Sequence, residues 1–211
     1  MILPLPIKQG GEPDFDFINL KEYPSIFDDL ILGFPAPQSL FESLGAYDSL
    51  SSIPMGTLVI YDVGDFEASF VPTLKDFSRL DKRFQIAPGT WAKLPQYQNY
   101  GFAVFKLKVG AHKVHPMAFA FARADATRLF FPTVHIHDGK VHLKAEFDHV
   151  LYAQPRPPEF LKFIDWRESA TPAKNFVKIE KTRGIVSGED HCYQKTLVGN
   201  LPNRDVWLSK L

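Results

Sequence analysis

Phe130-Phe131-Pro132-Thr133-Val134-His135-Ile136-His137-Asp138-Gly139-Lys140-Val141-His142-Leu143-Lys144-Ala145-Glu146-Phe147-Asp148-His149 is the stretch on which the fold turns. Apolar and polar residues alternate on both sides of Asp138-Gly139, a dipeptide that suits the two-residue type I′ hairpin turn. That turn sets a register: His137 pairs with Lys140, Ile136 with Val141, His135 with His142, Val134 with Leu143 and Thr133 with Lys144. One face then carries Phe130, Val134, Ile136, Val141, Leu143, Ala145 and Phe147 and is expected to be core. The other carries Thr133, His135, His137, Lys140, His142, Lys144, Glu146 and Asp148 and is expected to be wet. Pro132 interrupts the first strand and marks an edge or a bulge beside the His-X-His pair.

The polar face holds the chemistry. His135 and His137 share it two residues apart, and the register sets His142 opposite His135 at a Cβ separation of about 5 Å. Three imidazoles so placed suit zinc or iron, with a coordination position left open for water or substrate. Glu146, four residues beyond His142, supplies a fourth ligand or a general base. The competing explanation is plain: a half-exposed sheet carries polar residues on its wet side, and Lys140 and Lys144 flank the cluster with unfavourable charge. His149 extrapolates to the core face opposite Arg128, where a hydrogen-bonded structural role is expected.

Upstream of the hairpin, the alternation of residues 57–63 and 66–71 around Gly64-Asp65 predicts another hairpin, and its acidic block (Asp62, Asp65, Glu67) suits a charged turn better than a calcium loop. Strands are expected over 100–109, 115–123, 128–137 and 140–152, and their short connections imply antiparallel pairing. Helices are expected in the N-terminal part. Ser25 precedes Ile26, Phe27, Leu30 and Ile31 on one helical face, with Asp28 and Asp29 in the first turn and Gly33 at the stop. Another is expected over 37–44, and a third starts at Thr73, with Asp76 at capping-box spacing. Residues 155–158 carry a Pro-rich break before a C-terminal segment that packs back on the sheet. There, 159–166 reads as a short helix, 175–180 and 193–198 as strands, and Asn203-Arg204-Asp205 as a turn before a last strand.

The chain of 211 residues is thus expected to form a single compact α+β domain over 1–211, a mainly antiparallel sheet or partly open barrel with a few short helices mostly in the N-terminal third. Its 24 basic and 24 acidic side chains cancel, which removes the global field that draws in nucleic acid or an anionic membrane. No apolar run approaches the roughly 20 residues of a membrane-spanning helix. Cys192, the single cysteine, cannot form an internal disulfide, so a reducing cytoplasm is expected and a buried, inert thiol with it. No phosphate-binding loop, nucleophile elbow or His-Glu-X-X-His helix is present. Function therefore divides between a binding or interaction module, taking a protein or small polar ligand on the polar sheet face, and a metal-dependent enzyme built on His135, His137, His142 and Glu146.

Overall fold

The alternation around Gly64-Asp65 does fold as a tight hairpin. In the computed structural model, which describes residues 1–8, 10, 14–35, 58–84, 91, 94–110, 114–136, 142–154 and 163–209, β3 (Ile60–Val63) pairs with β4 (Phe66–Val71). Gly64 sits at φ +63°, and a Cβ there would run into the His115 ring. His115 is buried; its Nε2 accepts from Asp65 N at 3.0 Å and lies 3.2 Å from the Val63 carbonyl, and its Nδ1 lies 2.8 Å from the Pro116 carbonyl. Lys108 answers the acidic block: its ammonium lies 2.6 Å from Asp62 and donates to the Gly64 carbonyl at 2.8 Å.

This hairpin belongs to a four-stranded antiparallel sheet. Its order is β1 (Ile2–Leu5), β5 (Gly101–Leu107), β4, β3. Both of its faces are covered, because strands that alternate can still be apolar at every position: Phe102 and Val104 face one way, Ala103 and Phe105 the other, and all four are buried. Over the Ala103 and Phe105 side lies a ribbon of β2 (Phe15–Asn19) and β6 (Met117–Phe121). Phe15 stacks on Phe70 with ring centroids 4.3 Å apart, and Phe17 meets Phe105 edge-on at 5.4 Å, so much of the phenylalanine of this chain forms one interface. On the other side Phe102 and Val104 join Leu80, Phe84, Leu94 and Tyr97 from short 3-10 turns, with Val134 and Ile136 packed at the margin.

A third cluster forms around α1 (Ile26–Leu32). Ile26 and Leu30 are buried with Tyr23, Phe34, Ala173, Val177 and Cys192. Ser25 stands at the N-cap without a side-chain capping bond, and Phe27, expected on the inner face, is exposed. Gly33 has an ordinary helical φ of −68°; glycine is required there by close approach, since a Cβ would lie 2.5 Å from the Phe176 ring. At the third helix signal a 3-10 helix forms over Leu74–Arg79, and the Thr73 hydroxyl donates to the Asp76 carboxylate itself at 2.8 Å.

The strands after β5 are antiparallel, but the four that sequence expects to form one consecutive sheet do not pair with one another. β5 lies in the four-stranded sheet, β6 pairs with β2, β7 (Arg128–Phe131) with β11 (Val206–Ser209), and β8 (Lys144–Ala153) with β10 (Tyr193–Pro202), which also pairs with β9 (Arg167–Glu168). Partners come from the ends of the chain instead of from neighbours. The strand expected over 175–180 is replaced by 3-10 turns at Ala173–Asn175 and Ile179–Lys181, because the 173–177 backbone bonds locally and to Gly188 and Asp190. Residues 163–166 form a turn, not the end of a helix. The helix expected over 37–44, His137, the Asp138-Gly139 turn, Lys140, Val141 and residues 155–162 lie outside the described residues. Among the described residues no helix is long and apolar enough to cross a membrane.

Candidate functional site

Pro132 decides what happens to the strand that carries His135. It has no backbone N–H to offer a ladder, and β7 ends at Phe131 immediately before it. The next backbone donors go to side chains from the end of the chain. Thr133 and Val134 donate to Asp205 Oδ1 at 3.0 and 3.2 Å, and His135 donates to Asn203 Oδ1 at 2.7 Å. Asn203 Nδ2 then donates to the carbonyls of His135 at 2.8 Å and His142 at 3.0 Å, while its own N–H donates to Leu143 at 2.9 Å. One asparagine thus stands between the two segments that the hairpin register paired directly. The expected pairings of Thr133 with Lys144, Val134 with Leu143 and His135 with His142 are corrected accordingly, those of Ile136 and His137 lying partly outside the described residues, and two expected exposures reverse. Thr133 is buried, its hydroxyl donating to Arg204 O at 2.9 Å, and Leu143, expected in the core, is 94% exposed.

Beyond Leu143 the alternation holds: Lys144, Glu146 and Asp148 are exposed and Phe147 is buried. His149 does not stand opposite Arg128; it pairs across β8–β10 with Leu197, and its side chain meets His135. The two Nε2 atoms are 2.8 Å apart, and Asp148 Oδ1 lies 3.0 Å from His149 Nδ1. If His149 gives its Nδ1 proton to Asp148, its Nε2 is the acceptor and His135 Nε2 carries the shared proton. The His135 ring also stacks on Phe147, with centroids 4.5 Å apart. Backbone, ring and nitrogen are therefore each held, which is the preorganisation a site requires.

Of the residues chosen from sequence, His135 enters this cluster. His142 is exposed at its edge, its carbonyl held by Asn203. Glu146 shares the solvent face with Asp148 and accepts from Asn200 Nδ2 at 2.6 Å, so the register does not bring it to the histidine pair. Among the described residues no three His, Cys, Asp or Glu side chains gather as a metal-holding group, and His137 is not among those residues. Sequence reasoning missed His149 as a partner of His135, and it missed Asn203 and Asp205 as the groups that shape the strand. Neighbouring residues on a strand point to opposite faces, so Asp148-His149 gave no signal of acting together. Asn203-Arg204-Asp205 looked like turn chemistry alone.

Asp205 is the electrostatic centre of the closing loop. Tyr97 donates its hydroxyl to Oδ2 at 2.5 Å, and with the two N–H groups this makes three donors to one carboxyl group. Burial nevertheless pushes the Asp205 carboxyl above its ordinary value, against the pull of those hydrogen bonds. Burial also raises the Tyr97 phenol, and the neighbouring carboxylate adds to it. Cys192 is buried as expected, and desolvation pushes its thiol up to about 11, away from thiolate chemistry. His191 does not serve it; that ring's Nδ1 donates to the Ser169 carbonyl at 2.8 Å.

Fold and site together define a β-rich α+β chain with a two-histidine cluster closed by its C-terminal loop. In comparisons with known proteins, no protein-family model matches the chain and no solved structure matches it significantly.

Proposed function

We propose that the chain is a metal-dependent protein in which His135 and His149 hold a zinc- or iron-class ion. The observation that carries the reading is the convergence of two Nε2 atoms at 2.8 Å with a carboxylate on the far nitrogen of His149. Imidazole is a favoured ligand of these ions, and a ligating histidine ordinarily donates its other N–H to a carboxylate or carbonyl, the place Asp148 takes. Two nitrogens on one tetrahedral ion, each bound at about 2.0–2.1 Å, stand roughly 3.3 Å apart. Replacing the shared proton by the ion asks the rings to part by about half an ångström from that arrangement. With two or three imidazoles from the chain, His137 being the nearest further one in sequence, the ion keeps positions for water or a substrate oxygen, as catalytic zinc does.

Calorimetric titration of the metal-free full chain with zinc, and elemental analysis after dialysis, test this. About one ion per chain is expected, with binding abolished in His135→Ala and His149→Ala and weakened on the order of tenfold in Asp148→Asn. Less than about 0.2 ion per chain, or binding indifferent to these substitutions, leaves the pair a structural hydrogen bond and overturns the proposal.

A second reading, an interaction module, draws on the solvent face of β8–β10. There Val150 and Val198 are exposed beside Glu146, Asp148 and Thr196. A stoichiometric partner released by recharging Asp148 and Asn200 to Lys supports it; a partner indifferent to that change does not.

A further inference from the structure

Away from the histidine pair, and independently of the reading given to it, a cavity of about 350 Å³ opens between α1, β6, the end of β8 and the 185–192 loop. Its wall is mainly apolar, with Ile26 and Leu30 from α1 and Ala118 and Phe119 from β6. A cavity of roughly 150 Å³ accommodates benzene, so this one has room for an arylalkyl molecule. The polar groups on the wall divide into two sets. Gln154 is spent on structure: its Nε2 donates to the carbonyls of Ser187 and Asp190 at 2.9 and 3.2 Å, and its Oε1 accepts from Ser187 N at 2.9 Å. The Tyr152 hydroxyl accepts from Gln194 at 3.0 Å.

Asp190 is different. It is the one lining residue with a formal charge at neutral pH, and among the described residues no cation pairs with it. Its backbone carbonyl is used, accepting from Ala173 N at 2.9 Å as well as from Gln154, which fixes the residue on the half-exposed wall of the cavity. The carboxylate is close enough to Cys192, also on the wall, to add to the burial that keeps that thiol protonated. A mainly apolar cavity whose one acidic lining residue has no ion pair among the described residues is complementary to a cation with an apolar body.

We infer that this cavity binds a small arylalkyl or alkyl amine, its ammonium at Asp190 and its apolar part between α1 and β6. Anions are disfavoured by the same carboxylate, and a neutral hydrocarbon of equal size fills the space without compensating the charge.

Ligand-observed NMR and calorimetry on the full chain, with 2-phenylethylamine against its neutral isostere propylbenzene, test the inference. The amine is expected to bind at least about tenfold more tightly than propylbenzene, and Asp190→Asn should remove that preference. Ile185→Trp, at the exposed rim, should weaken both ligands by blocking entry. Thermal melts of each variant establish that it is folded, and Asp190→Asn keeps the backbone carbonyl that Gln154 and Ala173 use. Equal binding of the two probes, a preference that survives Asp190→Asn, or no binding of the amine by the folded wild-type chain each overturns the proposal.

Discussion

Two tyrosine–aspartate pairs tie late parts of this chain to early ones, and their carboxyl groups are held in opposite ways. Beside α1, the Tyr23 hydroxyl donates to Asp29 at 2.6 Å and accepts the backbone N–H of Lys178 at 2.9 Å, while the Lys178 ammonium lies 3.0 Å from the same carboxylate. Beneath Phe102 and Val104, Tyr97 donates to Asp205, which also accepts from Thr133 and Val134 but has no ion pair among the described residues. The Tyr23 hydrogen bond and Lys178 hold Asp29 below the ordinary carboxylate range, whereas burial lifts Asp205 above it. Tyr23, desolvated beside its aspartate, is raised to about 12. Three neutral donors therefore compensate less for removal from water than one phenol with one ammonium at a site that water still reaches.

The comparison is broken most forcefully at Asp205. Asp205→Ala strands the Tyr97 hydroxyl and the amides of Thr133 and Val134 in one step and releases the loop that holds His135. A loss of about 3–4 kcal/mol in urea-unfolding stability is expected. Asp29→Ala removes one phenol contact and one partly solvated ion pair, so the loss should be about 1–2 kcal/mol. If Asp29→Ala proves the costlier, the hydrogen-bond arithmetic that ranks the two pairs is wrong.

What was legible in the sequence follows the same division between local and distant partners. The β3–β4 hairpin reads directly, because Gly64-Asp65 and the alternation around it are contained in about a dozen residues. α1 reads nearly as well, since Ile26 and Leu30 recur at helical spacing, although nothing local told that Phe27 would face out. In the histidine hairpin the pairing expected between residues 133–135 and 142–144 is not made, for a physical reason. Alternation gave the faces of residues 144–148, but it does not name a strand's partner, and at Thr133 and Leu143, where the partner differs, the expected exposures reverse. Asn203 and Asp205, some seventy residues away, took the backbone bonds that a neighbouring strand was expected to take. His135 was identifiable as chemically interesting; His149 as the residue it meets was not, because that contact depends on β8 pairing with β10. The cavity at Asp190 was equally invisible, its walls coming from four separate stretches of chain.

The pH dependence of stability sharpens the comparison with the smallest effect, and its sign differs between the two pairs. Asp29 titrates below its unfolded value near 3.8 in the native state, so its stabilisation is complete above that pH and lost as pH falls through the depressed native value. Asp205 titrates above 3.8 in the native state, so its proton-linked stabilisation is complete below that pH and lost as pH rises through the elevated native value. Protonation suits the Asp205 site sterically: Oδ1 can keep both amides while Oδ2–H donates to a Tyr97 hydroxyl turned to accept. Asp29→Asn and Asp205→Asn isolate each contribution, because subtracting a variant from the wild type cancels Asp76 and Asp125, which are also lowered. Between pH 7 and 4 the wild type should gain on Asp205→Asn as pH falls, and below pH 4 it should lose against Asp29→Asn. Each change is at most about 1.4 kcal/mol per unit of pKa displacement and is read from urea midpoints at fixed ionic strength. Difference curves sloping the same way would mean that water reaches Asp205 as freely as it reaches Asp29, and that the C-terminal loop does not close over the His135 strand in solution.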